Sequence, residues 1–226
     1  MKRIVVAIDG PAGAGKSTIA RRVAEKLGYL YLDTGAMYRA VALWALRTGV
    51  ALDDMHRLEQ LALSAEIGLE GTKVTLNGED VSEAIRAADV SAAASKVSAV
   101  AGVRRALVDK QRIMAEAASV VMEGRDIGTI VFPDAAVKIF LDATSAVRAQ
   151  RRLEELAARD SVTDAAAVAR DMKERDQRDR GRAEAPLVQA PDAVLLDSTA
   201  LTLEEVEDAV LRLVRARTSN GKEVAR

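Results

Sequence analysis

Two rhythms of apolar residues alternate along this chain. Lys2–Ile8 is almost continuous in Ile and Val, and shorter runs of the same texture recur at Tyr29–Leu32, Val120–Glu123, Val137–Leu141 and Ala193–Leu196. Such runs predict short strands buried on both faces. Between them the apolar positions return at helical spacing. Lys16–Leu27 sets Ile19, Ala20, Val23, Ala24 and Leu27 on one face and stops at Gly28, while Gly35–Thr48 carries Met37, Val41, Trp44 and Ala45 and stops at Gly49. Further helices are predicted over about Asp53–Ala65, Val90–Val100, Val103–Ala118, Ser145–Arg159 and Asp164–Arg180. Thr202-x-x-Glu205 reads as a capping box opening a last helix to about Arg217, followed by a polar tail from Thr218 that is expected to fray. About five strands alternating with helices of about ten residues or more predict an α/β fold, a parallel sheet flanked by helices.

One stretch breaks this alternation. Lys73–Leu76 and Glu79–Val81 flank Asn77-Gly78, the dipeptide that suits a type I′ turn. A β-hairpin here predicts an inserted subdomain within the α/β chain.

The 226 residues suit one large domain, or a domain carrying a small insert. Cysteine is absent and His56 is the one histidine, which removes disulfides, Cys-ligated zinc and thiol chemistry and leaves almost nothing for histidine catalysis. This composition fits a reducing cytoplasm, the expected location. The apolar runs Ile4–Ile8 and Val137–Leu141 are far too short to span a bilayer. Met1-Lys2-Arg3 before an apolar run resembles the start of a signal peptide, but Asp9 interrupts the run and no small-residue cleavage site follows. A net charge of −1 provides no global field for a nucleic acid polymer. Arginine nevertheless supplies 24 of the 33 basic residues, and its planar fork grips phosphate with two bonds where lysine offers a point charge.

The most specific local signal follows the first strand. Gly10-Pro11-Ala12-Gly13-Ala14-Gly15-Lys16-Ser17, with Thr18 beside it, matches G-x-x-x-x-G-K-[ST] between a buried strand and an amphipathic helix. Glycines let the backbone curl with its N–H groups inward, and the new helix adds its positive end. Lys16 is then placed to reach the β and γ phosphates of a nucleoside triphosphate, and the Ser17 hydroxyl to bind Mg²⁺. A GTPase would carry Asn-Lys-x-Asp to read guanine, and the chain has no such string.

Other charges are arranged to hold a second anion. Ligands of open α/β sheets bind at the carboxyl ends of the strands. There the second strand delivers Thr34 and Arg39, and the third delivers Glu123-Gly124-Arg125-Asp126. Val147–Arg182 then brings nine arginines, with Arg148, Arg151, Arg152 and Arg159 at helical spacing and Arg175, Arg178, Asp179 and Arg182 on one face. Transfer between polyanions needs cations over the migrating group, and an Arg-rich helical lid supplies them while excluding water. The expected catalytic cations are Lys16, Arg125, Arg148, Arg152, Arg175 and Arg182. No general base is needed if the acceptor is a nucleoside monophosphate, whose phosphate is largely dianionic near neutral pH.

These segments resemble the bacterial cytidylate kinases. Ile8–Ser17, Leu32–Arg39, Gly124–Thr129 and Glu174–Arg180 look like that family's signature stretches, in order, and the likeness runs from about residue 3 to 215. It implies a P-loop NMP-kinase fold with a core (about 1–66, 102–146 and 183–217), an NMP-binding insert (about 67–101) and a lid (about 147–182). It also implies that Thr34, Ser95, Arg104 and Asp126 meet the cytosine, that Arg39, Arg125 and Arg182 hold the acceptor phosphate, and that Arg175 and Asp179 hold the sugar. The implied partners are ATP with Mg²⁺ and CMP or dCMP, with no nucleic acid polymer and no membrane, on a monomeric enzyme. The chemistry is consistent: cytosine shows an amino donor beside ring acceptors and wants a carboxylate next to Ser or Arg donors, whereas uracil would leave Asp126 unpaired. Some relatives have Ser where Thr34 stands and Asp where Glu123 stands, and Ser91 and Ser98 lie close to Ser95. The rival expectations are a P-loop kinase for another small acceptor, such as shikimate or a different nucleotide, and a nucleotide-dependent switch without transfer activity. The insert and the Arg104/Asp126 pair argue against the former, and the intact Lys16/Ser17 pair with the acceptor-side arginines against the latter.

Overall fold

The computed structural model describes residues 3–158 and 164–219. Five parallel strands form the main sheet in the order β2-β6-β1-β7-β8, where β1 is Val5–Asp9, β2 Leu30–Asp33, β6 Val120–Gly124, β7 Val137–Asp142 and β8 Val194–Asp197. Alternation along β1 assigns its two faces. Val6 and Ile8 face α1 (Lys16–Leu27) and α8 (Leu203–Ser219), in one apolar cluster with Ile19, Val23, Val206 and Val210. Ala7 faces the opposite way, into a cluster with Leu32, Met122 and residues of α5 (Ala101–Met114). Burying one such Ile or Val contributes roughly 1.5–3 kcal/mol, so continuous apolar strands are what this two-sided covering requires.

A second, three-stranded antiparallel sheet joins β3 (Ile67–Glu70), β4 (Lys73–Leu76) and β5 (Glu79–Asp80). Asn77 and Gly78 both have positive φ, 51° and 84°, as a type I′ hairpin turn demands. The strand β3 was not separately legible in the sequence. It carries Gly68, where a Cβ would lie 2.5 Å from Thr75 Oγ1, so the close pairing of β3 with β4 needs a glycine there.

The insert packs mainly on helices, while Leu69 of β3 also reaches the sheet cluster of Ala7, Leu32 and Met122. Val74, Leu76, Val81 and Ile85 share one apolar cluster with α2 (Thr34–Arg47), α3 (Met55–Ser64), α4 (Ala88–Val97) and the start of α5. Helix α2 is buried nearly all round by Ala, Val and Met, which suits a helix covered by the insert on top and the core below. Helices α6 (Ser145–Ala157) and α7 (Ala165–Arg180) pack on each other as the Arg-rich hairpin. Arg159, expected at the end of the first of these, lies outside the described residues, as does the tail beyond Ser219. Helix α5 stops at Met114 rather than Ala118, and a π-helical turn over Ile127–Val131, which the sequence did not announce, follows β6. Among the described residues no helix is long and apolar enough to cross a membrane.

Candidate functional site

The carboxyl ends of β1, β2 and β6 open into one cleft of about 1230 Å³, lined by Ala12–Thr18 on one side and by Thr34, Arg39, Ser95, Arg104, Arg125, Asp126, Arg175, Asp179 and Arg182 on the other. Gly10 and Pro11 lie behind that lining, in the turn that leaves β1.

The cradle is packed backbone against backbone. Gly10 has φ 148°, and a Cβ there would stand 1.9 Å from the Leu141 carbonyl oxygen of β7. Gly13, at φ 76°, would place a Cβ 2.8 Å from the Arg148 carbonyl oxygen of α6. Gly15 precedes α1 and supplies no side-chain cap, so the first amides of that helix are left for an anion. Lys16 is 5% exposed, and its Nζ donates to the Pro11 carbonyl at 2.7 Å. Burial, then the nearby Arg125 charge, push the Lys16 ammonium down to about 7. The buried Glu123 carboxylate lies beside Ser17 and accepts from Tyr31 Oη at 2.7 Å. Burial and then Asp33 hold Glu123 above the usual carboxylate range. Ser17 and Glu123 offer the hard oxygen donors that suit a small divalent ion. Among the described residues no group of three His, Cys, Asp or Glu gathers into a metal cage, so such an ion would draw the rest of its shell from phosphate and water.

At the acceptor end guanidiniums are held by carboxylates. Arg39 donates to Asp33 at 2.7 Å, and Asp33 also caps α2 by accepting from Ala36 N at 3.0 Å. Burial raises the Asp33 pKa most, but Arg39 and the cap outweigh it and leave it lowered. Arg104 pairs with Asp126, both almost fully buried, and lies over the Tyr38 ring with its guanidinium carbon 5.6 Å from the centroid. Arg125 Nε donates to Asp179 at 2.9 Å, and Arg182 pairs with the other oxygen of the same carboxylate. Burial pushes Asp179 upward, yet Arg125, Arg182 and Arg175 together set it below the usual range. Five guanidiniums (Arg39, Arg104, Arg125, Arg175, Arg182) thus face three carboxylates, and the excess charge points into the cleft.

Several polar atoms in this wall have nothing to bond. Ser95 Oγ, Arg175 Nε, and Arg182 Nε and Nη1 are buried without a hydrogen-bond partner. Unsatisfied buried donors are costly, about 1–3 kcal/mol each, and a site built to receive a ligand is where they are tolerated. Burial and then Arg125 push Arg175 down to about 10, the mark of a cation lacking enough opposing charge. Thr34 Oγ1 donates to the Glu123 carbonyl at 2.7 Å, so its oxygen is left as an acceptor.

The lid arginines divide. Arg152 lines the cleft and is paired with Glu155 at 2.8 Å. Arg148, expected over the migrating phosphoryl group, instead sits behind the cradle. Its Nε donates to Ala143 O (3.0 Å), Nη1 to Ala12 O (3.1 Å) and Nη2 to Asp176 Oδ2 (2.6 Å). The guanidinium is saturated by protein acceptors because Asp176, one turn from Asp179 on α7, turns toward α6 rather than toward the cleft. Arg151, given no role from the sequence, lines the cleft and donates to Ser198 Oγ and O at 3.0 and 2.8 Å. Glu123 and Tyr31 were likewise given no part, although a carboxylate ending a fully buried strand at the ligand edge is a readable signal.

Comparison with known proteins follows this geometry. A family model described as cytidylate kinase matches residues 6–216. A protein of Solibacter usitatus named cytidylate kinase is 60% identical over 224 residues, covering 98% of this chain and 97% of its own. One of the same name from Pelotomaculum thermopropionicum is 51% identical over 222 residues, 96% of each chain. Among solved structures, a gluconokinase from Sinorhizobium meliloti aligns over the whole of both chains with a TM-score of 0.53 at 14% identity, a likeness of fold alone.

Proposed function

The chain belongs to the cytidylate kinase family and moves a phosphoryl group from ATP to CMP or dCMP, and from that premise we propose how its residues divide the work. The observation that carries the division is the meeting of a backbone cradle and a surplus of guanidiniums in one cleft.

Residues Gly10–Thr18 hold the donor. Their amides and the start of α1 take the phosphates, and Lys16 leaves the Pro11 carbonyl for the β–γ oxygens. Ser17 Oγ and the Glu123 carboxylate would hold Mg²⁺ arriving with ATP, and that ion would supply neutralisation of phosphate charge. Arg39, Arg125 and Arg182 hold the acceptor phosphate, partly released from Asp33 and Asp179 as the ligand's charge replaces those partners. Arg175 and Asp179 take the sugar, and because one carboxylate can accept from whichever hydroxyl is present, ribose and deoxyribose are both usable. Asp126 and the Thr34 oxygen accept from the cytosine amino group, while Arg104 and Ser95 Oγ donate to the ring acceptors; the unpartnered Ser95 hydroxyl supports that role.

An acceptor phosphate oxygen then forms the new bond to the γ-phosphorus, the bridging bond to ADP breaks, and the leaving charge stays under Lys16. No side chain need remove a proton. Arg125, Arg175, Arg182 and Arg152 stabilise charge on the migrating group, while Arg148 fixes the cradle to the lid helices.

The test is ADP release with CMP, dCMP, UMP, AMP and GMP as acceptors. CMP and dCMP should lead, UMP should trail, and purines should be poor. AMP or GMP turning over as well as CMP would overturn the base-reading assignment.

A further inference from the structure

Asp9 is the last residue of β1, directly before Gly10, and takes no part in the division of labour above. Its side chain is 5% exposed, in a place where an unpaired carboxylate would be strongly disfavoured. Oδ1 accepts from Ile127 N at 2.8 Å and Oδ2 accepts from Gly128 N at 2.7 Å. These two amides open the π-helical turn that follows Asp126, and no side chain within the turn caps it. The cap comes from a strand 118 residues earlier.

We propose that Asp9 is a positioning residue for acceptor recognition: by clamping the Ile127 and Gly128 amides it holds the Asp126 carboxylate at the angle from which the base is read. The Ile127 N–H and the Asp126 C=O belong to one peptide plane. Asp9 holds the N–H edge. The carbonyl edge is held by the turn itself, through Ile130 N at 2.9 Å and Val131 N at 3.2 Å. Asp126 is therefore fixed at φ −149°, ψ 24°, outside the helix and strand wells, and this is the backbone that aims its carboxylate at Arg104. No neutral side chain of this size offers two acceptor oxygens to two adjacent amides; an asparagine would turn an N–H₂ group toward one of them. Burial pushes the Asp9 carboxyl up to about 6, the bonds from Gly128 and Ile127 pull against this, and the Asp126 and Lys16 charges act in opposite directions. At neutral pH the clamp is thus ionic, and its bonds are the stronger kind.

The placement has a further consequence. Asp9 pairs with Gly124 in the β1–β6 register and leads straight into the cradle. Donor cradle and base-reading turn then share an anchor, and the Asp9 side chain adds to the β1–β6 ladder in setting their separation. A misplacement of about 1 Å at such a junction is enough to lose a rate factor on the order of a hundred.

The inference rests on the assignment of Asp126 as the base reader, and the experiment separates the two. Asp9→Asn, Asp126→Asn, the double variant and Gly128→Ala are compared with the parent enzyme using CMP and UMP, with ATP and acceptor each varied. Asp9→Asn should raise KM for CMP by about tenfold and lower the CMP:UMP preference, with KM for ATP changed less than about twofold. In the double variant the Asp9 change should cost no further preference, because its effect passes through Asp126. Should Asp9→Asn fail to fold, Gly128→Ala supplies the reading. Its Cβ would sit 3.3 Å from Asp9 Oδ2 and 3.1 Å from Lys138 Cδ, crowding the clamp without removing it, and should give the same signature more weakly. If Asp126→Asn itself leaves the CMP:UMP preference unchanged, the base-reader assignment fails. If Asp126→Asn lowers the preference but Asp9→Asn or Gly128→Ala raises both KM values together, or lowers kcat at constant preference, Asp9 merely supports the fold and the present inference fails.

Discussion

In the proposed division of work, the groups that meet the donor's phosphates are peptide N–H groups from one unbroken stretch, Gly10–Thr18, with a single ammonium from Lys16. Those around the acceptor are guanidiniums from α2, α5, the end of β6, α7 and the segment just beyond it, and four of them, Arg39, Arg104, Arg125 and Arg182, are held by carboxylates. The first surface is set by backbone geometry: at Gly10 even a methyl group would collide with β7. The second is set by charge balance, and its donors wait, paired or unpartnered, until a ligand replaces the internal partners. Backbone amides do not distinguish one base from another, so the donor half should act on every reaction alike. Side chains do distinguish, and the acceptor half should carry the choice of substrate.

Four substitutions test this contrast, from the largest effect to the smallest. Lys16→Ala removes the one side-chain cation of the cradle; kcat should fall by about 10²–10³-fold or more, to the same degree with CMP and UMP, while circular dichroism stays that of the parent. Near-normal turnover would dissolve the contrast at its donor end. Asp126→Asn replaces a two-oxygen acceptor by a group that also donates, and kcat/KM should fall by roughly 10–100-fold for CMP and much less for UMP. Equal losses on the two acceptors would mean that the acceptor half is no more selective than the donor half. Arg39→Ala strips one phosphate ligand and frees Asp33, so KM for CMP should rise by about tenfold with KM for ATP nearly fixed; a parallel rise in both would join the two halves.

The smallest effect is read in stability. Asp179 lies below the usual carboxylate range despite its burial, because Arg125, Arg182 and Arg175 surround it. A carboxylate with a lowered folded-state pKa contributes stability that is complete above its unfolded value, near pH 4, and lost as pH falls through the folded value. Asp179→Asn should therefore flatten the acid limb of the stability profile below about pH 4, as read from urea midpoints across pH. An unchanged acid limb would show that the acceptor half is not balanced by this carboxylate.

The same contrast governs what the sequence revealed. The cradle is contiguous and flanked by a strand and a helix, so spacing alone placed Gly10–Ser17 between β1 and α1. The type I′ turn at Asn77-Gly78 was equally local, two adjacent residues with positive φ. The strand order was not legible, because which strands neighbour each other depends on contacts between distant segments. Arg125, Arg175, Asp179 and Arg182 were singled out by strand ends and helical spacing, and Ser95, Arg104 and Asp126 by family resemblance; all line the cleft. Arg148 shared the periodicity of its neighbours, yet its side chain is drawn inward by the Ala12 and Ala143 carbonyls and Asp176, acceptors that no spacing rule reports. The Asp9 clamp was hidden for the same reason: an acid next to a glycine-rich loop looks like a strand end until residue 127 is brought beside it.

The strand order carries a consequence for how the molecule is made. Although β1 and β2 are consecutive in the chain, they do not pair; β6 lies between them. A nascent chain emerging from the ribosome has its whole phosphate-gripping loop early, but the middle of the sheet stays open until residue 124 has been added. That late strand also leads into Arg125 and Asp126, so the cleft they line is unfinished before it arrives. Long-range parallel pairing of this kind is slow to form and leaves the Val-rich edge of β1 and the Leu-Tyr-Leu edge of β2 bare meanwhile. The interval before β6 is delivered is when the growing polypeptide most needs shielding from its neighbours.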